Sequence, residues 1–399
     1  MKAGVKIAAA LFLAASQPAF ASDIPGVTAT EIKIGGVFPF SGPASSIGFV
    51  GRGLIAYIQF INDRGGINGR KINYIAYDDS YSPPKAVEHV RKLVEADGIA
   101  FMFGQLGTPG ISATAKYLAA KKMPSIAIFS GSSKFTDAAN YPLTTTGLVS
   151  YETEGKIYAK YLAKILPNSK YAILYQNDDL GKDYVNAFKS YFGASFAQKV
   201  VTAPYEVTEP TIDTQIATLK NSGSEALFIA GTPKFAAQAI RQAYALGWQA
   251  KVIVNFPSSS VGGTLAPAGF DKSVGVIAGT INKDPLDASW KDDAGVQQFR
   301  TFFDKYLAGA DITNGSYLSG YQQGIILEQI LKQCGNDLSH ENILAQAKNL
   351  QNIVVPTVVP GILANTSKSQ NMIWTQMRLQ RWNGTKYELF GEVLDSNSN

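Results

Sequence analysis

The chain has 399 residues, of which 46% are hydrophobic and 17% charged, and it carries a formal net charge of +5 at pH 7. So small and scattered an excess specifies no nucleic-acid or membrane-surface partner. The length exceeds what one hydrophobic core usually holds, so two domains are expected, and a single cysteine, Cys334, excludes an intramolecular disulfide.

Residues 1–21 carry Lys2 and Lys6, an apolar segment from Ile7 to Ala15, and the small-x-small triplet Ala19-Phe20-Ala21. This pattern reads as a secretory signal peptide cleaved after Ala21. The alternative, a membrane anchor, needs about twice the apolar length present. Cleavage leaves 378 residues and a formal charge of +3, with no cysteine at the new N-terminus to accept a lipid. No later apolar stretch is long enough to span a bilayer, so the exported chain is expected to be untethered.

The mature sequence opens on a short β-compatible run, Ile32 to Phe38, broken by Pro39-Phe40-Ser41-Gly42-Pro43. Leu54, Ile55, Ile58 and Ile61 then recur at helical spacing, Asn62 to Gly69 is glycine-rich punctuation, and Ile72 to Tyr77 forms a second strand before Asp78-Asp79. This is a βαβ unit, which predicts a parallel sheet. Helix and strand patterns continue in alternation: Pro83 to Glu95, Ala100 to Phe103, Ile111 to Ala120 and Ser125 to Phe129. A second series runs through Glu152 to Ile165, Tyr171 to Tyr175, Tyr184 to Tyr191, Ala226 to Ile229, Phe235 to Leu246 and Val252 to Asn255. In both series a strand ends in Gly-Thr-Pro, at Gly107-Thr108-Pro109 and Gly231-Thr232-Pro233. Threonine there is expected to cap the next helix, with proline at its first position. In a parallel α/β sheet such junctions lie at the carboxyl ends of the strands, where ligands bind.

The wording IKIGGVFPFSGP followed by INDRGGINGRKINYIAYDD resembles the branched-chain amino-acid-binding protein family, from about Glu31 to the late 380s. These are two-lobed solute receptors of ATP-driven importers. The resemblance implies a type I periplasmic binding fold, α/β, with two Rossmann-like parallel-sheet lobes joined by three crossovers. The crossovers fall by analogy near Thr146-Gly147, Thr280-Ile281 and Val355 to Gly361. Lobe one would then comprise residues 22–147 plus 281–355, and lobe two 148–280 plus 356–399. It further implies a periplasmic location, a small-molecule ligand, an inner-membrane ABC permease as partner, a monomer, and neither a cofactor nor nucleic acid.

Family members hold a ligand carboxylate with hydroxyls and backbone N–H groups from lobe one, where helix dipoles favour an anion. By resemblance these are Thr108, in the stretch with Gln105, and the segment Phe129-Ser130-Gly131. Thr108 and Ser130 also read as plain caps. Thr232 stands where a tyrosine is common, as does Leu180. Phe129, Tyr151, Phe256 and Tyr317 are candidate apolar walls, although most of the 44 aromatic residues must be core. The family's acidic residue for a ligand ammonium is missing from Val254 to Val261. Because an unpaired buried ammonium is costly, the expected ligand is a carboxylate without an α-amino group, aromatic or another organic acid. Glu152 or Asp179 could substitute as the acid, so an amino acid stays open as the alternative, as does a sensory receptor of the same fold.

An enzyme finds little support. His89 and His340 are the only histidines and lie in no metal-ligand spacing. The chain has no GxSxG, HExxH or GxxxxGK[ST] motif. Gly51 to Ala56 matches a dinucleotide fingerprint only inside a predicted helix, and Asp78-Asp79 and Asp178-Asp179 follow strands, where turn and capping roles are commoner.

Overall fold

A computed structural model describes residues 24–397, so the expected signal peptide lies outside the described residues. Among those residues the strands are β1 (Glu31–Phe38), β2 (Lys71–Asp78), β3 (Phe101–Phe103), β4 (Ser125–Ile128), β5 (Thr144–Thr146), β6 (Tyr171–Gln176), β7 (Val200–Tyr205), β8 (Ala226–Ala230), β9 (Lys251–Val254), β10 (Ile277–Thr280), β11 (Met377–Trp382) and β12 (Tyr387–Leu394). The helices are α1 (Ser45–Asp63), α2 (Pro83–Glu95), α3 (Thr108–Ala120), α4 (Tyr151–Ile165), α5 (Asp179–Phe192), α6 (Phe196–Lys199), α7 (Asp213–Asn221), α8 (Pro233–Ala245), α9 (Ala266–Ala268), α10 (Ala294–Tyr306), α11 (Ser316–Cys334) and α12 (His340–Ala347).

Two sheets result. One is parallel throughout in the order β2-β1-β3-β4-β5, and the other runs β12-β11-β10-β9-β8-β6-β7, parallel except for the antiparallel hairpin β11-β12 at one edge. Helices cover both faces of the parallel strands, which is why β8, Ala226 to Ala230, is apolar and buried along its whole length. Pro204 is tolerated in β7 because that strand is at the sheet edge. The chain passes between the lobes after β5, after β10 and before β11. There its segments pair with one another: Thr146 bridges Met372 in parallel, and Asn282 bridges Val358 antiparallel.

The turn that carries the family resemblance has a physical basis. The Asn62 side chain donates to the Ile72 carbonyl and accepts from the Ile72 N–H, both at 2.8 Å, fixing the end of α1 to β2. Gly66, at φ +84°, lets the chain reverse where a Cβ would run into the Arg70 carbonyl oxygen. Helices α1 and α11 then pack backbone to backbone through Gly53 and Gly320, while Gly324 leaves room for the Tyr57 ring. Glu328 on α11 closes that seam by accepting from Tyr57 of α1 and from Arg64 just past its end.

Element bounds differ where side chains compete for the backbone. α5 begins at Asp179, five residues before the expected Tyr184, because Asp178 caps it by accepting from the Leu180 and Gly181 N–H groups. α3 begins at Thr108 with Gly107 (φ +110°) as its cap residue, and neither Thr108 nor Thr232 makes a capping hydrogen bond. Both prolines do stand in the first turn. The expected threonine capping is therefore corrected: the Thr108 hydroxyl is engaged elsewhere and that of Thr232 is unpartnered.

Candidate functional site

The carboxyl ends of β3, β4, β8 and β9 converge on a crevice between the lobes. One part, tightly closed at about 10 Å³, is lined by Ile47, Tyr81, Leu106, Gly107, Thr108, Phe129, Leu148, Tyr151, Leu180, Gly231, Thr232 and Pro257. A neighbouring part of about 40 Å³ shares Ile47, Phe129 and Pro257 and adds Phe256, Ser259, Ser260, Asn282, Gly315, Ser316 and Ser319. Both lobes thus contribute to one wall, and no Asp, Glu, Lys or Arg is in it.

Its polar groups are hydroxyls and amides. Thr108 Oγ1 lies 2.8 Å from Ser130 Oγ and 3.2 Å from the Tyr151 hydroxyl. Ser130 Oγ in turn accepts the Ser132 N–H at 3.2 Å. Such a chain polarises its members, so a donor at Thr108 is strengthened. Opposite it, the Thr232 hydroxyl, 2% exposed, has no partner in the protein. Leaving a buried hydroxyl unpaired costs roughly 1–3 kcal/mol. Tyr81 reaches the crevice from a strained turn in which Ser80 and Tyr81 both have left-handed backbones, at φ +52° and +62°. Asp78 and Asp79 hold that turn by accepting the Ser80 and Tyr81 N–H groups at 2.9 and 2.8 Å. Across the crevice, Gln176 donates to the Tyr81 hydroxyl at 3.2 Å.

The sequence candidates divide. Thr108, Phe129, Tyr151, Thr232 and Phe256 all line the crevice, and Ser130 and Gly131 stand directly behind it. Gly131 accepts the Tyr151 N–H at 2.7 Å, and a side chain on it would meet the Val149 carbonyl and the Tyr151 ring. Gln105 is instead turned into lobe one, donating to Thr114 at 3.2 Å. Tyr317 is stacked on Phe49 at 5.0 Å and meets Phe303 edge-on, so it packs between α11, α1 and α10 rather than in the crevice. Ile47, Tyr81, Leu106, Leu148 and Pro257 were not foreseen; apart from a helix-start hydrophobe they come from loops without periodicity.

The acids near the crevice are otherwise occupied. Glu152 pairs with Lys156 at 2.7 Å, and Asp179 pairs with Lys134 at 2.5 Å and accepts from Ser112 at 3.0 Å. Asp183 accepts both the N–H and the hydroxyl of Ser133 at 2.8 Å. These last two residues join α5 to lobe one along one rim. On the other rim Ser260 Oγ donates to Asn314 at 3.3 Å and Gly262 N–H to the Thr313 carbonyl at 2.9 Å.

Glu154 is buried behind the crevice, accepting from the Tyr158 and Tyr184 hydroxyls at 2.5 and 2.6 Å and from the Phe256 N–H at 2.6 Å. Burial outweighs those bonds and pushes its carboxyl up to about 7, and burial likewise raises Asp79 and Asp178 to about 6 each. A carboxyl raised in the folded state gives stability that is complete below its unfolded value and is lost as pH climbs through the folded one. Scanning calorimetry at fixed ionic strength is therefore expected to show a falling melting temperature from about pH 5 to about pH 8. Glu154→Gln should flatten the fall; a melting temperature that rises over this interval contradicts the assignment.

A model of the periplasmic binding protein family matches residues 31–386. The Leu/Ile/Val-binding protein of Citrobacter freundii is 26% identical over 318 residues, covering 76% of this chain and 82% of that protein. Among solved structures, the branched chain amino acid ABC transporter protein of Thermus thermophilus with bound valine superposes with a TM-score of 0.82 at 16% identity, over 93% of this chain and 98% of that one. The solute binding protein of R. palustris in complex with benzoate superposes with a TM-score of 0.75 at 19% identity, over 92% and 98%. At such identities the structural likeness speaks for the fold. Among the described residues no helix is long and apolar enough to cross a membrane, and no cluster of three or more His, Cys, Asp or Glu is arranged to hold a metal.

Proposed function

This chain belongs to the periplasmic binding protein family, of the Leu/Ile/Val-binding type, and from that membership we propose that it is the solute receptor of an ABC importer, specific for a small carboxylate without an α-amino group. The observation that carries the ligand class is the wall itself: hydroxyls of Thr108, Tyr151 and Thr232, apolar side chains, and no carboxylate. Thr108 and Thr232 stand at the N-terminal turns of α3 and α8, one from each lobe, where partial positive charge favours an anion. An ammonium would find no free acid there, since Asp178, Asp179, Glu152 and Glu154 are all engaged. Contacts to both lobes give the closed arrangement its preference for ligand, which is then offered to a membrane permease. The fold accommodates either kind of solute, as the valine and benzoate complexes of its neighbours illustrate.

Competition calorimetry with pairs of equal side chain tests this reading, for example 4-methyl-2-oxopentanoate against leucine and phenylacetate or 3-phenylpropanoate against phenylalanine. The deaminated acid is expected to bind more tightly by several kcal/mol, the desolvation penalty of an unpaired ammonium. Tighter binding of the amino acid overturns it and restores the branched-chain reading. In the same assay Thr232→Val should weaken capture of the acid by roughly 1–3 kcal/mol, while the unliganded protein becomes no less stable because an unpaired hydroxyl has gone. Unchanged affinity would remove Thr232 from the site.

A further inference from the structure

A cavity roomier than either part of the crevice lies apart from it. It lies in lobe one, between α3 and the stretch from Lys134 to Thr144, with a volume of about 660 Å³, within the range of small-molecule sites. Ile111, Leu118, Met123, Phe135 and Tyr141 form apolar walls, with Phe135 and Tyr141 meeting edge-on at 5.0 Å. Among its polar groups a buried hydroxyl and a cation matter most. Ser125 lines the cavity at 6% exposure, and its hydroxyl has no partner. Lys116, at the exposed margin, makes no ion pair or hydrogen bond. The other cation in the lining, Lys134, is already paired with Asp179, and the one acid, Asp137, is occupied by the N–H groups of Ala139 and Asn140 and the Asn140 side chain.

We propose that this cavity is a second binding site, separate from the crevice, for a small amphiphilic monoanion whose apolar body lies among Ile111, Leu118, Phe135 and Tyr141 and whose charged head meets Lys116. The apolar walls supply affinity without direction, and the single free cation sets the sign of the head group. The Ser125 hydroxyl offers a hydrogen bond within the cavity that an apolar lining alone would not explain.

Octanoate and 1-octanol are suitable probes, followed through the methionine methyl groups of the full mature chain. Cleavage after Ala21 removes Met1 and leaves four of the five methionines of the sequence, so the Met123 methyl is assignable by a Met123→Leu comparison. Octanoate is expected to shift the Met123 methyl saturably, in the wild-type protein and equally in Thr108→Ala, which separates this site from the crevice. Lys116→Gln should weaken that titration about tenfold, and octanol should bind about tenfold more weakly than octanoate, the worth of one charge-assisted contact. A Met123 methyl that does not move up to millimolar octanoate, or one that octanol moves with equal affinity, overturns the proposal. So does a shift that disappears in Thr108→Ala.

Discussion

Gly320→Val is expected to destabilise the protein by about 3 kcal/mol or more, at the upper end of what overpacking costs. At Gly320 a Cβ would run into the Val50 carbonyl oxygen and lie 2.7 Å from the Leu54 N–H nitrogen, both backbone atoms of α1 that no side-chain rotation can move. Gly53 faces the Tyr317 carbonyl in the same way, so the helix pair has no slack on either side. The bond from Tyr57 to Glu328, at 2.7 Å, and the pairing of Arg64 with the same carboxylate would be strained as α1 and α11 separate. Urea denaturation is the measurement, and a midpoint within error of the wild type would show that the seam can yield. Exposed Gly309, where a Cβ meets nothing within 4 Å but φ is +81°, provides the contrast: Gly309→Ala should cost only the local strain of about 1 kcal/mol.

Glu154→Ala is expected to cost about 3–5 kcal/mol, the range for uncovering buried partners of a charged or strongly bonded group. Three donors lose their acceptor together: the Tyr158 and Tyr184 hydroxyls and the Phe256 N–H. Tyr158 retains the Gly279 N–H as a donor to it and a long contact of 3.3 Å to the Val254 carbonyl, whereas the Phe256 N–H has nothing else. Because Phe256 begins the short turn to Ser258 that walls the crevice, capture of a carboxylate should weaken along with stability. Glu154→Gln, which keeps the volume and two acceptor lone pairs, should recover most of the stability. Equal losses in the two variants would mean that packing volume, not hydrogen bonding, is what Glu154 supplies.

The alternation of apolar runs made the α/β class readable, because strands such as β8 are buried on both faces and carry no competing signal. Where a segment is short or broken the reading stops: β5 is three threonines, and β7 contains Pro204. In α11 the residues from Ser316 to Gly324 are all buried, so helical spacing could not say which face of Tyr317 meets the crevice and which meets Phe49. Gln105 illustrates the same limit at a strand end, where one residue of rotation sends an amide to Thr114 instead of the cleft. Tyr81 was invisible for another reason, since a left-handed backbone at a non-glycine residue is imposed by Asp78 and Asp79 and has no mark of its own in composition.

The bonds along the two rims of the crevice have a consequence for how binding is tuned. Asp183 with Ser133 and Asp179 with Lys134 join the lobes without lining the ligand's space, whereas Ser260, paired with Asn314 on the other rim, also lines it. On the proposed closure mechanism they set the fraction of molecules poised to bind, and apparent affinity scales with that fraction whatever the solute. The Lys134 and Asp179 side chains are 33% and 46% exposed, so added salt screens that contribution. Mutation or ionic strength at the Asp179 and Asp183 rim thereby moves affinity for every solute by a common factor and leaves the ranking among solutes, which the crevice wall decides, in place.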